Sequence, residues 1–435
     1  MKRFQIRLLL GVWMLCALTL VSCGGSDDGG AGETTPPPTV GGGDNGGEGG
    51  NTSGEGSDNP GDGDSTDEPQ NPGIPGDDLP EGFKSVGGDI SLLPQYESHG
   101  AIYMDENGVR LGNMLNYFSG NGWNTMRVRL FHNPANASEQ DKGDGVCQDL
   151  AYVTALGTRI KQAGLRFCLD FHYSDSWADP KKQYTPAAWE EMGDAQLADA
   201  IYTYTKGVLE HLNAAGATPD FIQTGNEISY GMLWGKEGST TLKQCFMGNA
   251  ANWDRFISLL KNAGRACREV CPKAKIILHT ERTGQWTVLN NFYKKMNDGG
   301  VDYDIIGLSY YPIWHGNLLT LESTLQTLEQ NYPDKKIAIV ETGYHYAWYP
   351  TDADYDYTGT YPATPEGQQK FLADLVTKLN SHPSVMALWY WWPEANEYGL
   401  DWSTNRVTNG WNNTSLFDNS TGKANPALKE LGNFK

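Results

Sequence analysis

The sequence predicts a (β/α)8 TIM barrel, a single α/β domain preceded by an export signal and a disordered linker. Three observations carry this reading. Eight short β-rich runs recur between residues 84 and 392, amphipathic helical patterns lie between them, and no phosphate-binding glycine loop follows the first run. An open doubly wound sheet is the competing architecture, but it has fewer strands as a rule and opens on such a loop.

The first run, KSVGGDIS (84–91), is followed by LGNMLNYFSGNG, with apolar residues three and four apart. NTMRVRLF (124–131) leads into LAYVTALGTRIKQAG, and LRFCLDFHY (165–173) into LADAIYTYTKGVLEHLNAAG. DFIQTGNE (220–227) precedes WDRFISLLKNAGRACREV, and KIILHTE (275–281) precedes WTVLNNFYKKMNDG. DIIGLSYYP (304–312), KIAIVET (336–342) and VMALWYWW (385–392) follow, separated by LESTLQTLEQNY and EGQQKFLADLVTKLNSH. Nearly continuous apolar strands alternating with amphipathic helices mean a parallel sheet covered by helices.

The N-terminus reads differently. Residues 1–22 have a basic start (Lys2, Arg3, Arg7) and an apolar run too short for a comfortable membrane span, the pattern of an export signal. The run ends in Leu20, Val21, Ser22 and Cys23, which resembles the lipobox of bacterial lipoproteins, whose cysteine is lipidated. That resemblance implies an exported lipoprotein, touching a membrane through its lipid alone. Acidic Asp27 and Asp28 are similar to signals for the outer face of an outer membrane and so for the cell surface. Residues 23–80 form a flexible acidic tether of Gly, Pro, Ser and Asp, and residues 81–435 form the catalytic barrel.

Of the formal charge of −20, thirteen acidic residues fall between 24 and 80, where Lys and Arg are absent. The barrel is acidic as well, which argues against a nucleic-acid partner. Cys147, Cys168, Cys245, Cys267 and Cys271 are odd in number, so at least one is unpaired; zinc spacing is missing.

Barrel chemistry gathers at the C-terminal strand ends. Asp89, Arg127, Arg129, Asp170, His172, Asn226, Glu227, His279, Glu281, Tyr310, Tyr311, Glu341, Trp389, Trp391 and Trp392 all fall there. Glu227 closes the fourth strand and Glu341 the seventh, so both can point across one mouth. Paired carboxylates of this kind suit glycoside hydrolysis, in which one protonates the leaving oxygen while the other attacks or activates water. Asn226 would donate a hydrogen bond to a sugar 2-hydroxyl. Two strand-end glutamates satisfied by Arg127 or Arg129 would be the plain structural alternative.

The motifs NTMRVRLFHNP, DFHYSDSWADP, TGNEISYGMLW, LSYYP and IVETGY resemble those of glycoside hydrolase family 53, the endo-β-1,4-galactanases, over nearly all of residues 84–420. The resemblance implies a retaining mechanism with Glu227 as acid/base, Glu341 as nucleophile and about 5 Å between the carboxyls. It places Arg127 beneath Glu341, with Arg129 as the second choice. It counts Asp170 among the substrate-binding residues, puts His172 and Tyr310 around the nucleophile, makes Trp391 a stacking platform and sets Trp177 at a flanking subsite.

The substrate so implied is β-1,4-galactan, as in pectin side chains, attacked by a monomer that needs no cofactor. Two departures stand out. Trp392 occupies the position where many members have a glutamate, and Asp352, Asp354 and Asp356 alternate in the loop after Glu341, a spacing that suits a structural calcium ion although exposed acidic loops are commoner. Two further functions compete: a hydrolase of the same clan acting on mannan or xylan, and a surface glycan-binding lipoprotein without catalysis.

Overall fold

The computed structural model describes residues 79–248, 250–410 and 413–435. The export signal, Cys23 and the tether up to residue 78 lie outside the described residues. Eight strands, β1 (Ser85–Asp89), β2 (Thr125–Leu130), β3 (Arg166–Phe171), β4 (Phe221–Thr224), β5 (Lys275–Thr280), β6 (Ile305–Tyr310), β7 (Lys336–Thr342) and β8 (Val385–Trp391), close into one barrel in chain order. All pairings are parallel, and β8 returns to β1.

Outside the barrel, apolar faces of the helices Leu150–Gln162, Asp194–Ala214, Trp253–Val270, Trp286–Asp298, Leu318–Asn331 and Pro365–Asn380 cover the strands. Side-chain caps start several of them. Asp149 accepts the backbone N–H of Tyr152, and Thr364 accepts that of Gly367 with Pro365 in the first turn. The last covering element is a short helix, Ala427–Leu431, which the sequence pattern did not announce.

Inside, the floor is apolar. Cys168, Phe221, Ile277, Ile305, Ala338, Val340 and Trp389 fill it, and the Trp389 indole donates to Ser85 Oγ at 2.9 Å. At Gly87 a Cβ would stand 1.6 Å from the Thr125 carbonyl oxygen, so glycine alone lets β1 approach β2 here.

Register then stacks the polar residues on this floor. Asp89 pairs with Arg127, Arg129 with Asp170, and Asp170 with Gln223. Residues two apart share a face, so Arg127 and Arg129 both point inward, one layer above the other.

Two strand ends differ from expectation. β4 stops at Thr224, because the chain turns at Gly225 (φ 101°), so Asn226 and Glu227 stand beyond the strand. In β7 the register slips: Leu308 pairs with Ile339, but Ser309 pairs with Glu341, leaving Val340 as a bulge. Val340 already faces the barrel floor, so strict alternation would send Glu341 outward; the bulge turns it inward.

Candidate active site

Above the apolar floor lies a cleft of about 290 Å³ bounded by Arg127, Arg129, His172, Trp177, Asn226, Glu227, Glu341, Trp391 and Trp392, together with residues of the loop after β3. Its lining comes from β2, β7 and β8 and from the segments that follow β3 and β4, which is why residues far apart in sequence meet.

Glu227 has φ 49°, in the left-handed region unusual for a residue with a side chain. Such a conformation persists only where its surroundings over-determine it. Here Gln183 Nε2 donates to the Asn226 carbonyl at 2.7 Å, and the backbone N–H of Ile228 donates to the His279 carbonyl at 3.0 Å. The strained turn lifts the Glu227 carboxyl off β4 and over the cleft.

Arg127 is 1% exposed and organises the floor of the site. Its Nη1 donates to Asp89 at 3.0 Å, while Nη2 faces Asp170 at 2.8 Å, Asn226 Oδ1 at 2.9 Å and Glu341 Oε1 at 2.9 Å. Arg129 donates to the other Asp89 oxygen at 2.9 Å. Its guanidinium lies against the rings of both Trp177 (4.7 Å) and Trp392 (5.3 Å). Arg127, not Arg129, is therefore the partner of Glu341.

Burial pushes both cleft carboxyls up. Glu341 rises to about 7, with Arg127 pulling against burial. Glu227 rises well above the ordinary range, through burial first and then the charges of Glu341 and Glu281. Of the pair, Glu227 is the higher, so a shared proton rests on it and Glu341 carries the negative charge. That is the asymmetry that acid and nucleophile roles require.

The residues expected from the sequence divide between the cleft and places outside it. Asn226, His172, Trp177 and Trp391 line the cleft with the carboxyls. Asn226 turns Oδ1 to Arg127 and donates one Nδ2 hydrogen to the Ala178 carbonyl at 2.8 Å, leaving a second for a ligand. His172 accepts the Ala178 N–H at Nδ1 (3.0 Å), so Nε2 points to Asp170 at 3.2 Å. Trp391 stacks on Trp392 with centroids 4.2 Å apart.

Asp170 corrects one expectation. It lies beneath the cleft, fully buried, with Arg127, His172 and the Gln223 amide (2.6 Å) as partners. Although burial opposes it, Arg127 holds its carboxyl below the usual range. It braces Arg127 and His172 from below and is not among the residues that line the cleft.

Tyr310 corrects a second. Its side chain faces the helices, stacks near Phe371 and donates to the Gly316 carbonyl at 3.0 Å. Ile305 points into the barrel, so residues 307, 309 and 311 do too, and it is Tyr311 that donates to Glu341 Oε2 at 3.2 Å. The alternation of β6 was the signal that would have chosen Tyr311.

The loop after β7 leaves a third unsupported. Asp352, Asp354 and Asp356 are exposed, and Asp356 accepts the backbone N–H of Thr358. Among the described residues no three carboxylate, histidine or cysteine side chains gather as a metal would require. These side chains therefore lend a calcium ion no support. The five cysteines of the barrel are all free.

Sequence reasoning gave no role to Gln183, Gln223 or Ser309, nor to Asp89, His279 and Tyr311, which it had only noted as strand-end residues. Ser309 Oγ lies 2.7 Å from Glu227 Oε1. No local motif marks a glutamine or serine as part of a network assembled from four strands.

A family model described as Glycosyl hydrolase family 53 matches residues 85–431. A protein of Niallia circulans, named as lying in the bgaB 5′ region, is 36% identical over 343 residues, 77% of this chain and 89% of its own. Arabinogalactan endo-β-1,4-galactanase of Cellvibrio japonicus is 32% identical over 351 residues, covering 77% of this chain and 85% of that one. The solved GH53 catalytic domain of Ignisphaera aggregans is similar at 33% identity and TM-score 0.70, over 82% of this chain and 97% of that domain.

Proposed function

The chain belongs to glycosyl hydrolase family 53 and is a glycoside hydrolase, and on that footing we propose that it is an endo-acting, retaining β-1,4-galactanase with Glu341 as nucleophile and Glu227 as acid/base. The observation that carries this reading is the single guanidinium nitrogen of Arg127 that reaches both Glu341 and Asn226, opposite the proton-bearing Glu227.

The chemistry follows from the charges. A Glu341 oxygen attacks the anomeric carbon while Glu227 gives its proton to the departing glycosidic oxygen, leaving a glycosyl ester on Glu341. Once Glu341 is esterified its charge is gone, and the Glu227 carboxylate takes a proton from a water that attacks the same carbon and frees Glu341. Arg127 and Tyr311 hold the nucleophile between them, one on each oxygen. Asn226 has a free amide hydrogen for the 2-hydroxyl, an interaction that strengthens as positive charge develops on the ring. Trp391, half-exposed over the cleft, offers its face to the apolar side of a sugar.

The substrate follows from the relatives' names and from the acidic composition, which suits a neutral polymer: β-1,4-galactan of arabinogalactan and pectin side chains. The sequence of residues 1–80 supports an exported, lipid-anchored enzyme tethered through Cys23 at the cell surface. Residues 79–435 are assayed for reducing-sugar release from unbranched β-1,4-galactan, set beside mannan, xylan, β-glucan and β-1,3-galactan, with Glu341→Ala as control. Cleavage of β-1,4-galactan alone, absent in the control, supports the proposal. Cleavage of another polymer instead refutes the substrate, and binding without cleavage refutes the mechanism.

A further inference from the structure

Glu227 has a partner that double displacement by itself does not call for. Ser309 Oγ, on β6, lies 2.7 Å from Glu227 Oε1, and His279 Nε2, on β5, lies 2.8 Å from that hydroxyl. All of Ser309 and His279 is buried.

The direction of these bonds can be worked out from the far side of the imidazole. His279 is neutral, since burial and the nearby Arg127 charge hold its pKa well below the ordinary value. A neutral ring carries one proton. At Nδ1, two donors converge, the Gln223 amide at 3.1 Å and the backbone N–H of Glu227 at 3.4 Å. Asn226 Oδ1 is also 3.0 Å away, but it already accepts from Arg127. Among the described residues Nδ1 is the acceptor that the Glu227 N–H has. The proton therefore sits on Nε2 and points at Ser309. With its oxygen accepting from His279, the Ser309 hydroxyl turns its own hydrogen to Glu227 Oε1.

We propose that His279 and Ser309 are positioning residues for Glu227: they keep Oε1 as a standing acceptor, so the proton exchanged with the substrate resides on Oε2. This rests on Glu227 being the acid/base, and adds which of its oxygens carries the proton and what keeps it acidic. Neither residue touches a reacting atom.

A donor aimed at a carboxylate stabilises the charged form. Around Glu227, the charges of Glu341 on β7, Glu281 just after β5 and Asp179 in the loop after β3 act with burial in the opposite direction, and the Tyr311 phenol stands beside Glu341. Ser309 is the group that works against them. Without it, Glu227 holds its proton to higher pH.

The test is the pH profile of kcat/KM on β-1,4-galactan for the wild type, Ser309→Ala, His279→Ala and His279→Gln. In Ser309→Ala the alkaline limb moves up on the order of one pH unit. His279→Ala moves it the same way by less, whereas His279→Gln, whose amide can replace the Nε2–H donor, leaves it near the wild-type position. An unmoved limb in Ser309→Ala overturns the proposal, and a downward shift does so too, because it would mean that Ser309 accepts the Glu227 proton. Should Ser309→Ala fail to fold, the two His279 variants decide: equal limbs in both refute the relay.

Glu227→Ala, assayed on an activated aryl galactoside with and without azide, separates the two levels. Absence of azide rescue there would sink the acid/base reading itself. Rescue there with an unmoved limb in Ser309→Ala sinks only the relay.

Discussion

The guanidinium of Arg127 lies 2.9 Å from Glu341 Oε1, and both groups are nearly sealed from water. A buried carboxylate beside a buried fork of donors is held in one orientation and one charge state. Asp89 and Asp170 share the same guanidinium, so it serves three carboxylates at once.

Removing that cation would take a charged partner from three buried carboxylates at once. Arg127→Ala should therefore lose about 3–5 kcal/mol of stability in urea unfolding. Arg127→Lys keeps a charge but not the fork, and should fold while kcat falls on the order of 10²- to 10³-fold. A lysine variant with normal kcat would show that orientation of Glu341 does not depend on Arg127.

The two cleft carboxyls should give a bell-shaped profile of kcat/KM. Glu341, pushed up to about 7 by burial against the pull of Arg127, must be ionised, so activity falls on the acid side near that value. Glu227, higher still, must be protonated, and its loss of the proton draws the alkaline limb; the limbs belong to the coupled pair. Glu227→Gln, measured on an aryl galactoside whose leaving group needs no proton, should lose the alkaline limb and retain the acidic one. Retention of both limbs would assign the acid elsewhere.

Neighbouring tyrosines provide a direct contrast. Tyr311→Phe removes the hydrogen bond to Glu341 and should lower kcat by roughly tenfold or more, with little change in unfolding. Tyr310→Phe removes the bond to the Gly316 carbonyl and should cost about 1 kcal/mol of stability with kcat intact. Steady-state kinetics and urea titrations on both variants distinguish this from the reverse assignment.

Glu394, fully buried after β8, accepts the Leu92 N–H through Oε1, and burial pushes its carboxyl up to about 8. The folded state thus keeps a proton that the unfolded chain releases near the ordinary value of 4.5. Stability from this group is present at low pH and is lost as pH rises through that interval. Glu394→Gln should therefore gain stability relative to the wild type by about 4 kcal/mol between pH 5 and pH 9, measured by urea unfolding at both. An unchanged difference at the two pH values would mean that Glu394 is ionised in the fold.

Much of the molecule is local in origin and so was legible. Eight β-rich runs, the helical spacing between them and the polar residues at strand ends all follow from side-chain type and period, and they suffice for the barrel and for Glu227, Glu341 and Arg127 as a group. What the chain alone could not decide was where side chains point once strands pair. Val340 bulges out of register against Ser309, and that displacement, set by β6, turns Glu341 into the cleft. The left-handed turn at Glu227 is held by Gln183, forty-four residues earlier, and by the carbonyl of His279 on the next strand. The roles of Ser309, Gln223 and Asp89 likewise come from neighbours that meet only when the barrel closes. Period and composition act within a segment, whereas hydrogen bonds between strands depend on register, and register is settled by the whole ring.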